Sequence, residues 1–297
     1  MTDEIQSTGC LTLNRPTPAG RFRRFWFKLK RNKAALAGGV LILFYLCTAL
    51  LAPVLFPGNP SVPNLGMALE PPTLEHPLGT DELGRSILGR IIYGSRVSLL
   101  IAVGVVSVGL FIGVPLGLIS GYYGGKIDFI IQRITDTMLA FPGFLLALGL
   151  VAVLGVGLKN AMVSVGIAMI PLYIRLVRGC TLAVREEVYV EAARAVGTRD
   201  SVILIRHILP NVMIPIIVQT SLAMGMAILF AAGLGFLGIG VQPPTPEWGT
   251  MLGSGRAYIF RAPHVATFPG IAIFLAVLGF NLLGDGLRDA LDPRFKL

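Results

Sequence analysis

The chain has 297 residues, of which 54% are hydrophobic and 14% charged, with a formal net charge of +9. Soluble domains carry about 25% charged residues, so this composition excludes an ordinary soluble enzyme. The apolar residues occur in long uncharged blocks, which indicates a lipid bilayer rather than a globular core. Basic residues lie at the ends of those blocks, so membrane topology explains the positive charge better than nucleic-acid binding does.

The hydrophobic blocks predict an all-α membrane protein with about six transmembrane helices. A polar, basic tail covers residues 1–33, and the 23 residues of 34–56 contain no charge and are long enough to span. A Pro- and Gly-rich external loop is predicted at 57–96, followed by five helices within 97–287 and a short tail at 288–297. These further helices are predicted at 97–120, 137–158, 160–177, within 212–240 and at about 265–283.

The distribution of Lys and Arg predicts the orientation in the membrane. With the N-terminus inside, 19 of the 25 basic residues fall in inner segments and 6 fall in outer loops. Cytoplasmic segments carry the excess of Lys and Arg in membrane proteins. Both termini are therefore expected in the cytoplasm, which requires an even number of spans.

Small residues recur at every fourth position in two of the predicted spans. They are Gly109, Gly113, Gly117, Gly121 and Gly125, in and just after the span at 97–120, and Ala223, Ala227, Ala231 and Gly235 in the span within 212–240. This spacing leaves one face of a helix without large side chains, so that another helix can approach closely. We favour packing within one subunit over a contact between subunits.

No catalytic residue, metal site or cofactor site is predicted in this chain. The three Cys and three His are scattered, and neither a CxxC pair nor an H-E-x-x-H motif occurs. The spans hold no internal acid or base apart from Arg175 at the end of the fourth, which argues against a proton-coupled carrier. An intramembrane enzyme and a secondary transporter are the alternatives of other classes, and both lack the residues they need.

Two polar features are expected to have structural roles. Asp128, Arg133 and Asp136 are predicted to form an interfacial charge cluster, with Arg133 and Asp136 one helical turn apart. Trp248 is predicted to anchor the chain at the outer headgroups. A substrate role for the charges and a contact between Trp248 and an external protein are the open alternatives.

The segment 187–210, EVYVEAARAVGTRDSVILIRHILP, is too polar to span a membrane. Its first part has Val188, Ala192 and Ala195 at helical spacing, with charges on the other side. Gly197 suits a left-handed helix stop, and Thr198 or Asp200 can cap a second helix. Pro210 suits the turn into the next span. A short helix, a glycine and a second helix predict a compact cytoplasmic protrusion that docks on a partner, although an ordinary interfacial loop has the same composition.

This segment resembles the "EAA" signature of permease subunits of bacterial ABC importers, E-A-A-x3-G-x9-I-x-L-P. The matching residues are Glu191, Ala192, Ala193, Gly197, Leu209 and Pro210. His207 stands in the Ile position of the pattern, with Ile208 next to it. The resemblance implies that these residues couple the chain to ATPase subunits.

Further motifs resemble the dipeptide, oligopeptide and nickel permeases, and especially the "C"-type permeases of dipeptide and glutathione importers. The likeness covers nearly the whole chain from residue 25 onward. The motifs are HPLGTD at 76–81, GGKID at 124–128, AFP at 140–142, GFLG at 235–238, QPPTPEWG at 242–249 and GDGLRDALDP at 284–293.

The resemblance implies the transmembrane domain of a type I ABC importer in the bacterial inner membrane. Such a subunit forms half of a pore with a second, homologous permease. Two cytoplasmic ATP-binding subunits supply ATP and Mg²⁺ chemistry, and an external binding protein, periplasmic or lipid-anchored, delivers the substrate. The expected substrates are di- and oligopeptides, with glutathione or nickel as alternatives. The chain itself lacks a phosphate-binding G-x-x-x-x-G-K-[ST] loop.

Overall fold

The computed structural model describes residue 27 and residues 29–291, and in that part of the chain regular structure is helical and no β-strand forms. Nine helices are numbered here in chain order. They are α1 Lys33–Leu55, α2 Ile87–Tyr123, α3 Gly125–Leu139, α4 Gly143–Leu154, α5 Leu158–Arg185, α6 Val188–Ala195, α7 Asp200–Phe236, α8 Trp248–Gly255 and α9 His264–Leu291. Two short 3-10 turns, Leu65–Met67 and Arg256–Tyr258, lie between these helices.

Five of these helices are long and apolar enough to cross a membrane, namely α1, α2, α5, α7 and α9. The pair α3 and α4 makes a sixth span only if both helices are counted together, because they meet at an angle of 89°. The prediction of about six spans is therefore confirmed, whereas the prediction of one continuous third helix at 137–158 is wrong. Pro142 lies at the break, and α4 has 12 residues, about 18 Å, against a hydrocarbon core of about 30 Å.

Helix α2 begins at Ile87, inside the segment predicted as an external loop at 57–96. The Ser86 side chain caps this helix by accepting a hydrogen bond from the Gly89 amide at 3.4 Å. The richness in Pro and Gly suggested a loop up to Arg96, but Arg90 lies inside this helix and is only 4% exposed. A helix start that is rich in charge therefore extends this helix at its N-terminal end.

A buried ion cluster accounts for the charges at the start of α2. The Arg85 Nε atom lies 2.7 Å from Asp81 Oδ2, and Arg90 Nε lies 3.4 Å from the same oxygen. Glu82 accepts from Arg85 at 3.2 Å. Buried charges are tolerated where they are paired and hydrogen-bonded. Because Asp81 lies in the loop and Arg90 in α2, this cluster holds the loop against the first turn of α2.

Helices α2 and α5 run parallel and pack along the predicted glycine stripe. A Cβ atom at Gly109 would lie 2.9 Å from the Tyr173 ring, and one at Gly121 would lie 2.7 Å from Thr181 Cβ. The glycines therefore let the two helices approach within one subunit, as predicted. Gly125 is the exception, because it has a φ of +54° and no heavy atom within 4 Å of its Cβ position.

Helices α1 and α7 both pack antiparallel on α9. Tyr45 in α1 donates a hydrogen bond to the carbonyl of Ala272 at 3.0 Å, and a Cβ at Gly38 would lie 2.6 Å from the Leu283 amide nitrogen. In α7, the alanines predicted at helical spacing are buried, Ala227 completely. The main hydrophobic core thus lies between α1, α2, α5, α7 and α9.

Trp248 is buried, and its prediction as a headgroup anchor is wrong. Its side chain is 0% exposed, its indole Nε1 donates to the carbonyl of Ile91 at 3.1 Å, and its ring centroid lies 5.1 Å from that of Tyr45. The enrichment of tryptophan at headgroup depth in membrane proteins suggested exposure. The helix α8 folds back against α7 instead, so that Trp248 joins the core and offers no surface to an external protein.

Glu247 caps α8 from a buried position and is 2% exposed. Its carboxylate accepts from the amides of Gly249 and Thr250 at 2.8 Å each, and from Ser98 Oγ of α2 at 3.3 Å. Burial raises the pKa of the Glu247 carboxyl, and the backbone hydrogen bonds oppose that shift. This side chain thus joins α8 to α2.

Replacing Glu247 is therefore expected to loosen α8. Glu247→Ala leaves two buried amides without their acceptor, which should lower the free energy of unfolding by about 1–3 kcal/mol. Glu247→Gln keeps one acceptor oxygen and should cost less. Thermal unfolding of the detergent-solubilised protein measures both variants, and equal stability of Glu247→Ala and wild type would contradict the capping role.

Candidate coupling site

The segment 187–210 forms a helix, a glycine turn and the beginning of a second helix, and it joins α5 to α7. Helix α6 ends at Ala195, and Gly197 has a φ of +76°. The amide of Gly197 donates to the carbonyl of Arg194, and that of Thr198 donates to the carbonyl of Ala193, each at 3.0 Å. These two bonds form a Schellman motif, which explains why glycine stands at this position.

The residues predicted to couple the chain to a partner lie close together along this segment. Glu191, Ala192, Gly197 and Pro210 are exposed, whereas Ala193 and Leu209 are half-buried. An exposed acid and exposed alanines on a short helix leave room for another protein to approach.

The buried face of α6 differs from the predicted one. Val188, which belongs to the apolar set read from the sequence with Ala192 and Ala195, is 77% exposed, whereas Val190 is 0% exposed. Helix α6 is oriented so that Val190 points into the helix bundle. Val188 and Tyr189 point away from it. Burial and the neighbouring Glu187 raise the pKa of the Tyr189 hydroxyl. An eight-residue helix is too short for its periodicity to settle which face is buried.

A second hydrophobic cluster anchors the segment to the rest of the bundle. It is separate from the main core and is formed by Leu118, Tyr122, Val177, Val190, Ile203, Ile208, Val212 and Ile216. These residues come from α2, α5, α6 and α7. Val190, Ile203 and Ile208 are all 0% exposed, so close packing joins α6 to these longer helices.

Tyr122 at the end of α2 contacts both arms of the segment. Its hydroxyl donates to Asp200 Oδ1 at 2.7 Å, and the Arg194 guanidinium carbon lies 5.4 Å from the centroid of its ring. The prediction that Thr198 or Asp200 caps the second helix is wrong. Arg199 is the N-cap residue and no side chain accepts from the first turn, because the Asp200 carboxylate is bonded to Tyr122.

Helix α7 contains a π-helical stretch, Ile203–Ile208, in the second half of the segment 187–210. The amide of Leu209 donates to the carbonyl of Leu204, five residues earlier. Pro210 follows within a continuous helix and marks no turn in the chain, which differs from the prediction. Pro210 lacks an amide hydrogen, so it cannot donate a hydrogen bond to a carbonyl of the preceding turn. Next to it, the Asn211 side chain donates to the carbonyl of His207 at 2.6 Å.

The charges of α3 pair with α5 rather than with each other. Arg178 donates from Nε and Nη2 to the two carboxylate oxygens of Asp128, each at 2.6 Å. Arg175 donates to Asp136 at 2.8 Å. The predicted pairing of Arg133 with Asp136 is therefore wrong, and Arg133 lies over the Phe129 ring at 5.5 Å instead. The bend before α4 brings α3 against α5, which the sequence spacing could not reveal.

The residues missed at the sequence level are Tyr122, Val190 and Arg178. Tyr122 lies in an apolar span and carries no motif, and its partners are more than 70 residues away in the chain. Among the residues that the structure describes, no group of three or more His, Cys, Asp or Glu is placed to hold a metal ion.

Two protein families match the chain. The family described as "Binding-protein-dependent transport system inner membrane component" matches residues 113–297. The family described as "N-terminal TM domain of oligopeptide transport permease C" matches residues 20–72. Together they cover α1 and the part of the bundle that carries the helix–glycine–helix segment.

Curated relatives are similar over almost their whole length. The chain is 49% identical over 276 residues to the glutathione transport system permease protein GsiD of Pectobacterium atrosepticum, covering 93% of this chain and 92% of that protein. It is 48% identical over 280 residues to the dipeptide transport system permease protein DppC of Alkalihalophilus pseudofirmus, covering 94% and 92%. It is 45% identical over 287 residues to the di/tripeptide permease DppC of Pseudomonas aeruginosa, covering 95% and 94%.

The fold is similar to that of a solved transporter subunit. A chain of the MetNI methionine ABC transporter in an inward-facing conformation aligns with a TM-score of 0.58 at 18% identity, covering 69% of this chain and 98% of that chain. At this identity the likeness concerns the fold alone. The chain therefore belongs to the family of binding-protein-dependent transport system inner membrane components, and it is a permease subunit of an ATP-driven importer.

Proposed function

We propose that this permease forms half of a translocation pore for short peptides and couples that pore to ATP hydrolysis through the segment 187–210. The observation that carries the proposal is the exposed helix–glycine–helix segment itself, which is anchored through Val190 in a hydrophobic cluster shared with α2, α5 and α7. An outward face open to a partner and an inward face packed on spanning helices suit an element that transmits force.

The proposed orientation places α6 and both termini in the cytoplasm, with the protein in a bacterial inner membrane. The excess of Lys and Arg in the inner segments supports this orientation. The segment 187–210 then faces the compartment that contains ATP, and the loop before α2 and helix α8 lie on the outer side.

The proposed assembly contains a second, homologous permease, two ATP-binding subunits and an external substrate-binding protein. ATP and Mg²⁺ belong to the ATP-binding subunits, because this chain has no phosphate-binding loop. Closure of the ATP-binding subunits would push Glu191 and its neighbours toward the membrane. The packed cluster around Val190 would then reorient the ends of α2, α5 and α7.

The proposed substrates are di- and oligopeptides. The names of the relatives support this class, since they refer to dipeptide, di/tripeptide and glutathione transport. Glutathione is itself a tripeptide, and it stays the second candidate. The external binding protein is expected to make most of the choice between these substrates.

Reconstitution of the complete complex in vesicles tests the proposal. We expect uptake of a labelled dipeptide that requires ATP on the α6 side and the binding protein on the other side. Labelled glutathione, tested in parallel with the same binding protein, separates the two candidate substrates. Uptake that continues without the ATP-binding subunits would contradict the proposal and would favour a secondary transporter.

A further inference from the structure

One tyrosine connects the end of a spanning helix to both arms of the segment 187–210. The Tyr122 side chain is 7% exposed and lies in the hydrophobic cluster with Val190. Its hydroxyl donates to Asp200 at the start of α7, and its ring lies beneath Arg194 near the end of α6. Gly197 lies between these two partners, so Tyr122 bridges the turn.

We propose that Tyr122 is a positioning residue that holds α6 and the start of α7 at a fixed angle, so that movement of the segment reaches α2. This inference rests on the proposed coupling function. In this role Tyr122 acts through its contacts with Asp200 and Arg194.

The contacts of Tyr122 with Asp200 and Arg194 are both directional and both involve a charged group. A hydroxyl that donates to a carboxylate makes a charge-assisted bond, which is stronger than one between neutral groups. A guanidinium over an aromatic face is attracted by the ring quadrupole. The opposite charges of Arg194 and Asp200 thus engage the ring and the hydroxyl of the same side chain.

This link has no duplicate in the described part of the chain. Within residues 29–291, no other side-chain hydrogen bond joins residues 187–208 to an earlier helix. Arg185, which precedes the segment, donates to the carbonyl of Gly121 at 2.9 Å and so holds the end of α5 beside Tyr122. The remaining attachment of α6 is apolar, and apolar contacts constrain an angle less strictly than a directed hydrogen bond does.

The Asp200 side chain makes no hydrogen bond to its own helix. It lies in the first turn of α7, but it does not cap that helix, for which Arg199 is the N-cap residue. Its bond to Tyr122 spans 78 positions in the chain. The carboxylate therefore serves the contact between α7 and α2.

Tyr122→Phe in the reconstituted complex tests the inference, because it removes only the hydroxyl and keeps the ring and its packing. We expect assembly and basal ATP hydrolysis to be retained, while the amount of peptide transported per ATP falls about tenfold or more, as expected for the loss of one hydrogen bond to a charged group. Asp200→Asn should give a similar loss, and the double variant should be no worse than either single one.

Tyr123→Phe is the matched control. Tyr123 is adjacent in sequence, 48% exposed, and should give wild-type transport per ATP. Wild-type transport per ATP in Tyr122→Phe would overturn the inference, and so would a complex that fails to assemble, because the role would then be structural. If the wild-type complex itself shows no ATP-dependent uptake, the proposed function fails rather than the role of Tyr122.

Discussion

Gly197→Asp is expected to abolish productive coupling while leaving the spanning helices folded. Gly197 has a φ of +76°, which side-chain-bearing residues adopt at a cost of about 1–2 kcal/mol. No heavy atom lies within 4 Å of its Cβ position, so the new side chain would project outward into the proposed docking surface. Co-purification of the ATP-binding subunits should fall about tenfold or more, as for truncation of a central interface residue.

Gly238 offers a matched control for the cost of backbone strain. It has a φ of +80°, nothing lies within 4 Å of its Cβ position, and it follows the far end of α7. Gly238→Asp should therefore lose a similar amount of stability and keep its ATP-binding subunits. An equal loss of these subunits in both variants would mean that strain alone explains the effect, and would contradict the docking role of Gly197.

Glu191→Lys tests the same surface through its charge. Glu191 is exposed in the first turn of α6, so reversing its charge should leave the stability of the isolated permease nearly unchanged. Rim charges at interfaces alter association and its salt dependence more than folding. Glu191→Gln, which only neutralises the charge, should have the smaller effect on co-purification. Normal transport by both Gly197→Asp and Glu191→Lys would end the case for this docking surface.

Gly113→Ala is expected to force α2 and α5 apart. A Cβ at Gly113 would lie 2.6 Å from Tyr173 Cβ and 3.0 Å from the carbonyl oxygen of Ile170. The second atom belongs to the backbone and cannot move without shifting the helix. Overpacking of this kind costs about 1–3 kcal/mol, so the midpoint of thermal unfolding in detergent should fall clearly, and Gly113→Leu should be worse.

Gly179→Ala is the control for this pair, because Gly179 lies in α5 and no heavy atom lies within 4 Å of its Cβ position. Alanine favours helix formation over glycine by about 0.8–1.0 kcal/mol. This variant should therefore be as stable as wild type or slightly more so. Comparable destabilisation of Gly113→Ala and Gly179→Ala would contradict close packing along the glycine stripe.

The glycine stripe and the second hydrophobic cluster together suggest how force would travel through the subunit. The stripe lets α2 and α5 pack as one unit along Gly113 and Gly117, and the cluster attaches α6 to the end of that unit. The π-helical stretch at Ile203–Ile208 lies where α7 leaves the cluster. Irregular helical bonding of this kind often occurs at functional sites, and here it is placed where α7 would have to bend.

Local chemistry explains what could be predicted from the sequence alone. Long uncharged blocks determine that the chain is a membrane protein, because the backbone must satisfy its own hydrogen bonds in lipid. Four-residue spacing determined that Gly109 to Gly121 face another helix, and the left-handed preference of glycine marked Gly197 as the end of α6. Each of these conclusions depends on neighbours in the chain.

The tertiary structure decided everything that depends on distant partners. The sequence could not show that Trp248 is buried against Tyr45 and Ile91, or that Asp128 pairs with Arg178, 50 positions away. Asp200 could be taken for a helix cap until its bond to Tyr122 was seen. The sequence thus determined the membrane fold and the place of the segment 187–210, whereas only helix packing decided which side chains hold that segment in position.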